Sequence, residues 1–171
     1  MPTGRLRSLR FTPLLLLTAL LATPPAAGTS VERLGEDQLI DAATLIVVAT
    51  CHGTTTEHRG RRLVTHARVE VEQALKGHSR GRLTVVLPGG VDHNAVPPVA
   101  EVWPGAPTLA TGERAVLYLR PGSERGTWTV VGFNQGKVSL APTAADDDSL
   151  AALAARVRNR VASTAGTEVA P

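Results

Sequence analysis

The one cluster of cysteine and histidine in this sequence lies within a short stretch that starts near residue 50. It consists of the single cysteine and three histidines that follow it, Cys51, His52, His58 and His66. Thiolate and imidazole are ligands that zinc accepts in tetrahedral geometry. The spacing matches neither a Cys-x2-Cys nor a His-x3-His pattern, so we favour a buried thiol with exposed histidines over a zinc site.

The same four residues could supply a cysteine nucleophile and its general base. Such a pair needs the imidazole within hydrogen-bond reach of the thiol and a lowered thiol pKa. Neighbouring residues on a strand point to opposite faces, so His52 is badly placed to serve Cys51, and His66 could serve only in one strand register. We therefore predict that the chain is not an enzyme and needs no cofactor. A zinc- or thiol-dependent hydrolase centred on Cys51 is kept as the alternative.

A second set of candidate residues lies in the long segment from Pro88 to Thr111, which is rich in proline and glycine. Asp92 and His93 could act in acid–base or metal chemistry. The sequence has neither a G-x-S-x-G elbow nor an H-E-x-x-H motif, so a polar turn is the simpler interpretation. Structureless segments longer than about 12–15 residues are uncommon in compact domains and are often functional. Two interpretations stay open, a binding loop and an irregular wrap that closes one end of a barrel.

Trp103 is the aromatic residue of this segment and is followed by Pro104. An exposed tryptophan is a strong anchor for a partner, because tryptophan is enriched at binding hot spots. The alternative is a Trp103 that folds back and plugs the end of a barrel poor in other aromatics. If the segment binds a partner, we expect the contact residues to be Trp103, His93, Pro97 and Pro98.

The N-terminal residues have the pattern of a signal peptide. Three arginines precede an apolar run from Leu14 to Ala22, which Pro24-Pro25 end well short of the length that spans a membrane. Small residues follow and predict cleavage after Gly28. The arginines form no twin-arginine pair, and no cysteine lies near the predicted cut. Residues 1–28 therefore predict Sec-type export to the periplasm or the exterior, not as a lipoprotein, with no stable membrane span after processing.

The basic composition of the chain comes from this leader. The full chain has 18 Lys and Arg and 15 Asp and Glu, which gives a formal charge of +3. Removing residues 1–28 removes three arginines and no acidic residue, so 15 basic and 15 acidic residues remain. Proteins that bind single-stranded nucleic acid combine a basic groove with stacking aromatics. Four aromatics remain beyond residue 28 and the formal charge there is zero, so we predict no nucleic-acid partner.

Alternation and apolar runs predict five or six short strands between two helices. Residues 62–72 alternate between mostly apolar and mostly polar side chains, which is typical of a half-buried strand. Residues 45–49 form an unbroken apolar run, which fits a strand covered on both faces that continues through Cys51. The other predicted strands are 83–87, 114–119, 128–132 and 137–140, the last of which could also be the return arm of a hairpin. A polar connection is predicted at 53–60, helices at 35–43 and 146–161, and a disordered tail at 163–171.

Val116 and Tyr118 make the second face of the 114–119 strand apolar, which predicts a covering helix, and the C-terminal helix is the candidate. Asp146, Asp147 and Asp148 are placed to cap the start of that helix and to favour its dipole. Short strands separated by turn residues indicate a small barrel or sandwich.

Four short motifs separate the predicted strands: Leu75-Lys76-Gly77, Pro88-Gly89-Gly90, Gly112-Glu113-Arg114 and the hairpin of residues 132–136. In this order they resemble a largely uncharacterised family of small exported bacterial proteins, over residues 35–141. Such proteins look like OB-type barrels and, distantly, like the netrin-type module of tissue metalloproteinase inhibitors. Those inhibitors use an N-terminal cysteine and disulfides, whereas the only cysteine here is Cys51, so their mechanism is not carried over.

The resemblance implies a mainly β fold, a small five- to six-stranded OB-like barrel with a short N-terminal helix and a C-terminal helix, within residues 29–162. At most it suggests a barrel that binds proteins. Together with the predicted export, it leads us to expect a non-enzymatic binding module. This module would contact a protein or another cell-envelope component through the 88–111 loop.

Overall fold

The structure is a computed structural model that describes residues 33–141 and 143–167. The predicted signal peptide, residues 1–28, and the end of the predicted tail, residues 168–171, lie outside the described residues. In chain order the described elements are α1 (Glu36–Ala42), β1 (Leu45–Arg59), β2 (Arg62–Lys76), β3 (Gly81–Pro88), β4 (Gly90–Asp92), β5 (Val99–Glu101), β6 (Arg114–Pro121), β7 (Thr127–Val130), a 3-10 helix (Phe133–Gly136), β8 (Lys137–Leu140) and α2 (Ala144–Thr167).

Five of the strands pair in a closed circuit. The order is β1-β2-β3-β7-β6, and β6 pairs again with β1. All of these pairings are antiparallel except that of β3 with β7, which is parallel and consists of Thr84 opposite Thr127 and Val85 opposite Trp128. Strand β8 pairs with β6 and not with β7, so the alternative of a hairpin return arm is wrong. The mainly β fold class is confirmed.

The apolar run of β1 is buried on both of its faces. Leu45, Val47 and Ala49 belong to the core inside the strand circuit. Ile46 and Val48 point the other way, into a second core between the circuit and the two helices. Because side chains alternate along a strand, a strand covered on both sides has no polar position, and this explains the unbroken apolar sequence.

The two helices cover the outer face of β1 and β6, as predicted from the apolar second face of β6. Val116 and Tyr118 pack in the same buried cluster as Leu153 and Val157 of α2. Ion pairs hold the helices to each other: Arg156 Nε lies 2.9 Å from Glu36 Oε1, and Arg160 Nε lies 3.0 Å from Asp41 Oδ1. Such exposed pairs orient the helices more than they stabilise them.

Helix α2 differs from its prediction at both ends. It starts at Ala144 after Thr143, whose Oγ1 accepts the N–H of Asp146 and donates to the Asp146 carboxylate at 3.0 Å. Thr143 is therefore the cap, and Asp146 assists it from the third helical position rather than capping the helix itself. The helix continues to Thr167, so the first residues of the predicted disordered tail, 163–167, are helical.

Residues 53–60 are not the polar connection that the sequence predicted. Strand β1 continues to Arg59, and β1 and β2 form one long hairpin around Gly60-Arg61. Gly60 has a φ of 62°, the left-handed value that glycine supplies at the first central position of a type II′ turn. The polar sequence reflects exposure, since Thr54, Thr55, Glu57 and His58 are all exposed.

The segment 88–111 contains two short strands that the sequence did not predict. β4 and β5 pair antiparallel with each other and form a separate two-stranded sheet. Gly90 lies opposite Glu101 and Asp92 lies opposite Val99. The segment is therefore a small hairpin attached to the end of the β1–β2 hairpin, rather than a structureless loop.

Candidate functional site

The structure separates Cys51 from the histidines that could act with it. Cys51 is 1% exposed and belongs to the core inside the strand circuit. Its Sγ lies 3.8 Å from the carbonyl oxygen of Gly53. Cys51 is opposite Val69 in the hairpin, whereas His66 is opposite Thr55, four positions farther along β1. At about 3.3 Å per residue, that separation is too long for a thiol–imidazole hydrogen bond.

The three histidines of the predicted zinc set each contact a carboxylate instead. His52 Nε2 lies 3.2 Å from Glu70, His66 Nε2 lies 2.9 Å from Glu57, and His58 Nε2 lies 3.0 Å from Asp92. Within residues 33–141 and 143–167, no group of three or more His, Cys, Asp and Glu side chains is arranged to hold a metal ion. The described geometry brings together neither a zinc site nor a cysteine–histidine pair at Cys51.

The segment 88–111 is bound to the β1–β2 hairpin by several hydrogen bonds. The N–H of Gly89 donates to the carbonyl of Leu63 at 2.9 Å, and the Thr65 hydroxyl donates to the carbonyl of Gly89 at 2.8 Å. The N–H of Leu63 donates to the carboxylate of Glu101. Gly90 approaches so closely that a Cβ atom there would lie 2.3 Å from Thr65 Oγ1. The sequence Pro88-Gly89-Gly90 is therefore required by close packing as well as by the turn.

Trp103 contacts both this segment, through Glu101, and the β1–β2 hairpin, through Arg62. Its Nε1 donates to Glu101 Oε1 at 2.8 Å, and the Arg62 guanidinium carbon lies 4.4 Å from the centre of its ring, a cation–π distance. The Leu63 N–H, and next the Trp103 indole, lower the pKa of Glu101 below its usual value. Trp103 is half-buried against Arg62 rather than inside either buried core. Its role in the described structure is to hold Glu101 and Arg62 in place.

Asp92 and Asn94 form the polar turn that the sequence favoured. Asp92 Oδ1 accepts the N–H of Asn94 at 2.8 Å, and its Oδ2 contacts His58. The Asn94 N–H, followed by His58, lowers the pKa of Asp92. The turn thereby also fixes the tip of the β4–β5 hairpin to β1. The neighbouring His93 is exposed.

Exposed apolar residues lie on the β4–β5 hairpin and directly after it. Val96 is 98% exposed and Val102 is 86% exposed. We call these exposed residues together the valine surface, and its members are Val91, Val96, Pro97, Pro98, Val99 and Val102, of which Val91 and Val99 lie on opposite faces of the two-stranded sheet. The predicted contact residues Pro97 and Pro98 belong to it, while the valines were missed. Their position beside prolines in a long segment is the sequence signal that could have identified them.

A groove of about 340 Å³ lies beside the valine surface. Its walls and floor come from three places, the threonines Thr54, Thr56 and Thr65, the residues Leu87–Val91 with His93, and the segment Pro107–Leu109. We call it the end groove. Sequence reasoning missed Thr54 and Thr56 because they were assigned to a connection, and Thr65 because it was assigned to the buried face of the 62–72 strand. Of the four predicted contact residues, His93 is the one that lines it.

Comparison with protein-family models, with curated proteins and with solved structures found no match. Among the helices in the described part of the chain, none combines the length and apolarity needed to cross a membrane.

Proposed function

We propose that this chain is an exported, non-enzymatic binding protein whose valine surface contacts a protein partner. The observation that carries the proposal is the exposure of Val96 and Val102 on a segment that hydrogen bonds attach firmly to the sheet. Exposed apolar patches on folded chains mark interaction sites, because leaving such surface in water is unfavourable. A segment already ordered before binding loses less conformational entropy when the partner arrives.

The side chains around this surface favour a protein partner over a lipid or a polysaccharide of the cell envelope. Valine and proline offer apolar contact without the stacking platform that aromatics would supply to a sugar. Two arginines of the adjoining hairpin are engaged within the chain, since Arg62 lies over Trp103 and Arg59 contacts Glu124. Apolar contact residues beside polar side chains are the usual composition of a protein–protein interface.

The proposal also includes the finer fold and the location. A closed circuit of five strands joined by only two residue pairs between β3 and β7 supports a partly open OB-like barrel. The pattern of residues 1–28 supports Sec-type export to the periplasm or the exterior, without lipid attachment. In such a location the buried Cys51 would be protected from oxidation by its burial in the core.

Site-specific photo-crosslinking in the native host tests the proposal. A photoreactive amino acid is placed at Val102 and, in parallel, at Val138, which is 44% exposed on strand β8 and lines a pocket with Tyr118 and Leu150 on the helix-covered side. The expected result is one discrete crosslinked protein from Val102 and none from Val138. Val96→Asp in the Val102 probe strain should abolish the product while the chain stays folded. Equal products from both positions, or a product that survives Val96→Asp, would show that the valine surface is not the contact.

A further inference from the structure

The outer edge of β1 from Gly53 to Arg59 carries unpaired backbone hydrogen-bond groups. Strand β6 covers this edge only as far as Thr50, and two further bonds join Cys51 to Gly112 and Glu113. Beyond that point, no backbone hydrogen bond to this edge is found within the described chain. A seven-residue free edge is a template for strand pairing unless it is blocked.

The hairpin register shows which groups face this edge. Arg59 and Arg62 flank the two-residue turn and form a hydrogen-bonded pair, so Glu57 and Thr55 also bond to β2. The alternate residues Thr54, Thr56 and His58 then direct their N–H and C=O groups away from β2. The Thr56 and Thr65 hydroxyls lie 3.1 Å apart, which agrees with their assignment as a non-hydrogen-bonded pair, because side chains approach more closely in such pairs.

The usual devices that block a free edge are weak here. Residues 53–59 contain no proline and no lysine, and three consecutive threonines favour an extended backbone. Their charged and titratable side chains have partners within the chain, since Glu57 contacts His66, His58 contacts Asp92 and Arg59 contacts Glu124. Each of these three side chains is therefore already engaged by another part of the protein.

The end groove lies directly along this edge. Thr54 and Thr56, whose backbone groups face outward, also line the groove, together with residues 107–109. Leu87 and Leu109 are buried residues of its lining. Among the described residues that line it, none is Asp, Glu, Lys or Arg. The groove thus suits uncharged, apolar side chains from a segment whose backbone bonds to Thr54, Thr56 and His58.

We propose that the free edge of β1 and the end groove bind an extended, uncharged segment of the partner protein by strand addition. In this mode backbone bonds supply affinity, and every second side chain of the segment enters a pocket that supplies specificity. The inference rests on the proposed function only in taking a protein as the partner. It concerns different contacts, because the valine surface uses side chains and this edge uses backbone groups, although Val91 borders both.

The probe is a library of random short peptides displayed on phage and selected on the immobilised protein. The expected result is a family of sequences with apolar residues at alternate positions and few charges. Thr54→Pro removes one outward N–H without breaking a bond to β2, and it should weaken the selected peptides about tenfold or more. Thr54→Val is the matched control, because it keeps the N–H and the shape, and it should bind as the wild type does.

Amide exchange in the wild-type protein gives a second measurement that needs no variant. In the free protein the amides of Thr54, Thr56 and His58 should exchange fast, while those of Thr55 and Glu57 exchange slowly. A selected peptide should slow the first three and leave the other two unchanged. Uniform protection, or protection elsewhere only, would overturn the proposal.

The remaining outcomes also decide the question. Failure to enrich any peptide, or enrichment of peptides that bind Thr54→Pro unchanged, overturns strand addition. A concentration-dependent dimer that Thr54→Pro abolishes would show that the edge binds a second copy of this chain instead. Val102 crosslinking without edge-dependent peptides leaves the proposed function in place and removes this inference. Peptides that depend on the β1 edge, found without a Val102 crosslink, would support this inference and remove the valine surface as the contact.

Discussion

The backbone N–H of Leu63 donates to Glu101, and the carbonyl of the same residue accepts the N–H of Gly89. Leu63 is the second residue of β2, and these are the groups that it directs away from β1. Both ends of the 89–101 stretch are therefore tied to a single residue of the hairpin. The segment with the valine surface is positioned by this pair of bonds.

Replacing Glu101 with Gln should loosen the segment. Leu63 and Trp103 donate to different oxygens of the carboxylate, and Gln replaces one of these oxygens with NH2, so in the same side-chain position one donor faces an amide NH2. We expect faster amide exchange at Leu63 and Gly89. Glu70→Gln is the control, because Glu70 contacts His52 on the exposed face of the hairpin and should leave both amides unchanged. Unchanged exchange in Glu101→Gln would show that the carboxylate does not hold the segment.

The same carboxylate should make the attachment of this segment to Leu63 depend on pH. The pKa of Glu101 is held below its usual 4.5, first by the Leu63 N–H and then by the Trp103 indole. The Glu101 carboxylate thus binds a proton more weakly in the folded state than in the unfolded chain. The stabilisation that it gives the folded state is complete above pH 4.5 and is lost as the pH falls through the lowered pKa. Protection factors at Leu63, corrected for intrinsic exchange, should fall below pH 4.5 in the wild type. In Glu101→Gln the low-pH loss should be smaller, and an equal loss in both proteins would contradict the assignment.

Arg62 and Trp103 should be energetically coupled. A guanidinium over an indole ring at an exposed site contributes about 0.5–1 kcal/mol. A double-mutant cycle of Arg62→Ala and Trp103→Ala, measured by chemical unfolding, should give a coupling free energy of that size. Trp103→Ala should also weaken the Val102 crosslink, because Glu101 loses a partner. Additive effects in the cycle, together with an unchanged crosslink, would remove Trp103 from the support of this segment.

Gly90→Ala should destabilise the protein more than the backbone conformation alone explains. Gly90 has a φ of 143°, and a Cβ there would lie 2.3 Å from Thr65 Oγ1. Gly81 has a φ of 77° and nothing within 4 Å of the same position, so Gly81→Ala reports conformational strain without a clash. We expect the free energy of unfolding to fall by about 1 kcal/mol in Gly81→Ala and by about 2–4 kcal/mol in Gly90→Ala. Equal losses would mean that the approach of β4 to Thr65 is not tight.

Cys51→Ser should cost stability and leave partner binding intact. The hydroxyl would lie in an apolar core, and an unsatisfied hydroxyl there lowers the free energy of unfolding by about 1–3 kcal/mol. Cys51→Ala keeps the site apolar and should cost less. Thermal unfolding and the Val102 crosslink measure the two effects separately. A stable Cys51→Ser protein that loses its function would instead support the thiol-dependent alternative.

The strands that pack against the core were predictable because burial leaves a periodic sequence. Residues 45–49 are apolar on both faces, Val116 and Tyr118 indicate a covering helix, and the predicted strand 137–140 matches β8 residue for residue. Thr54–Thr56 carry no such pattern, because Thr54 and Thr55 are exposed and Thr56 is only half-buried. The short strands β4 and β5 escape prediction for the same reason, since no core selects their side chains.

The sequence alone predicted a leader. It also determined the alternation of the buried strands and the concentration of proline and glycine between residues 88 and 111. Each of these depends on residues close together in the chain, so local pattern is sufficient. Only the tertiary structure decided that Cys51 faces the core away from its histidines, that Glu101 binds Leu63, and that Thr54 and Thr56 border both a free edge and a groove. Those relationships depend on strand register and on contacts between distant residues, and a one-residue shift would change every partner.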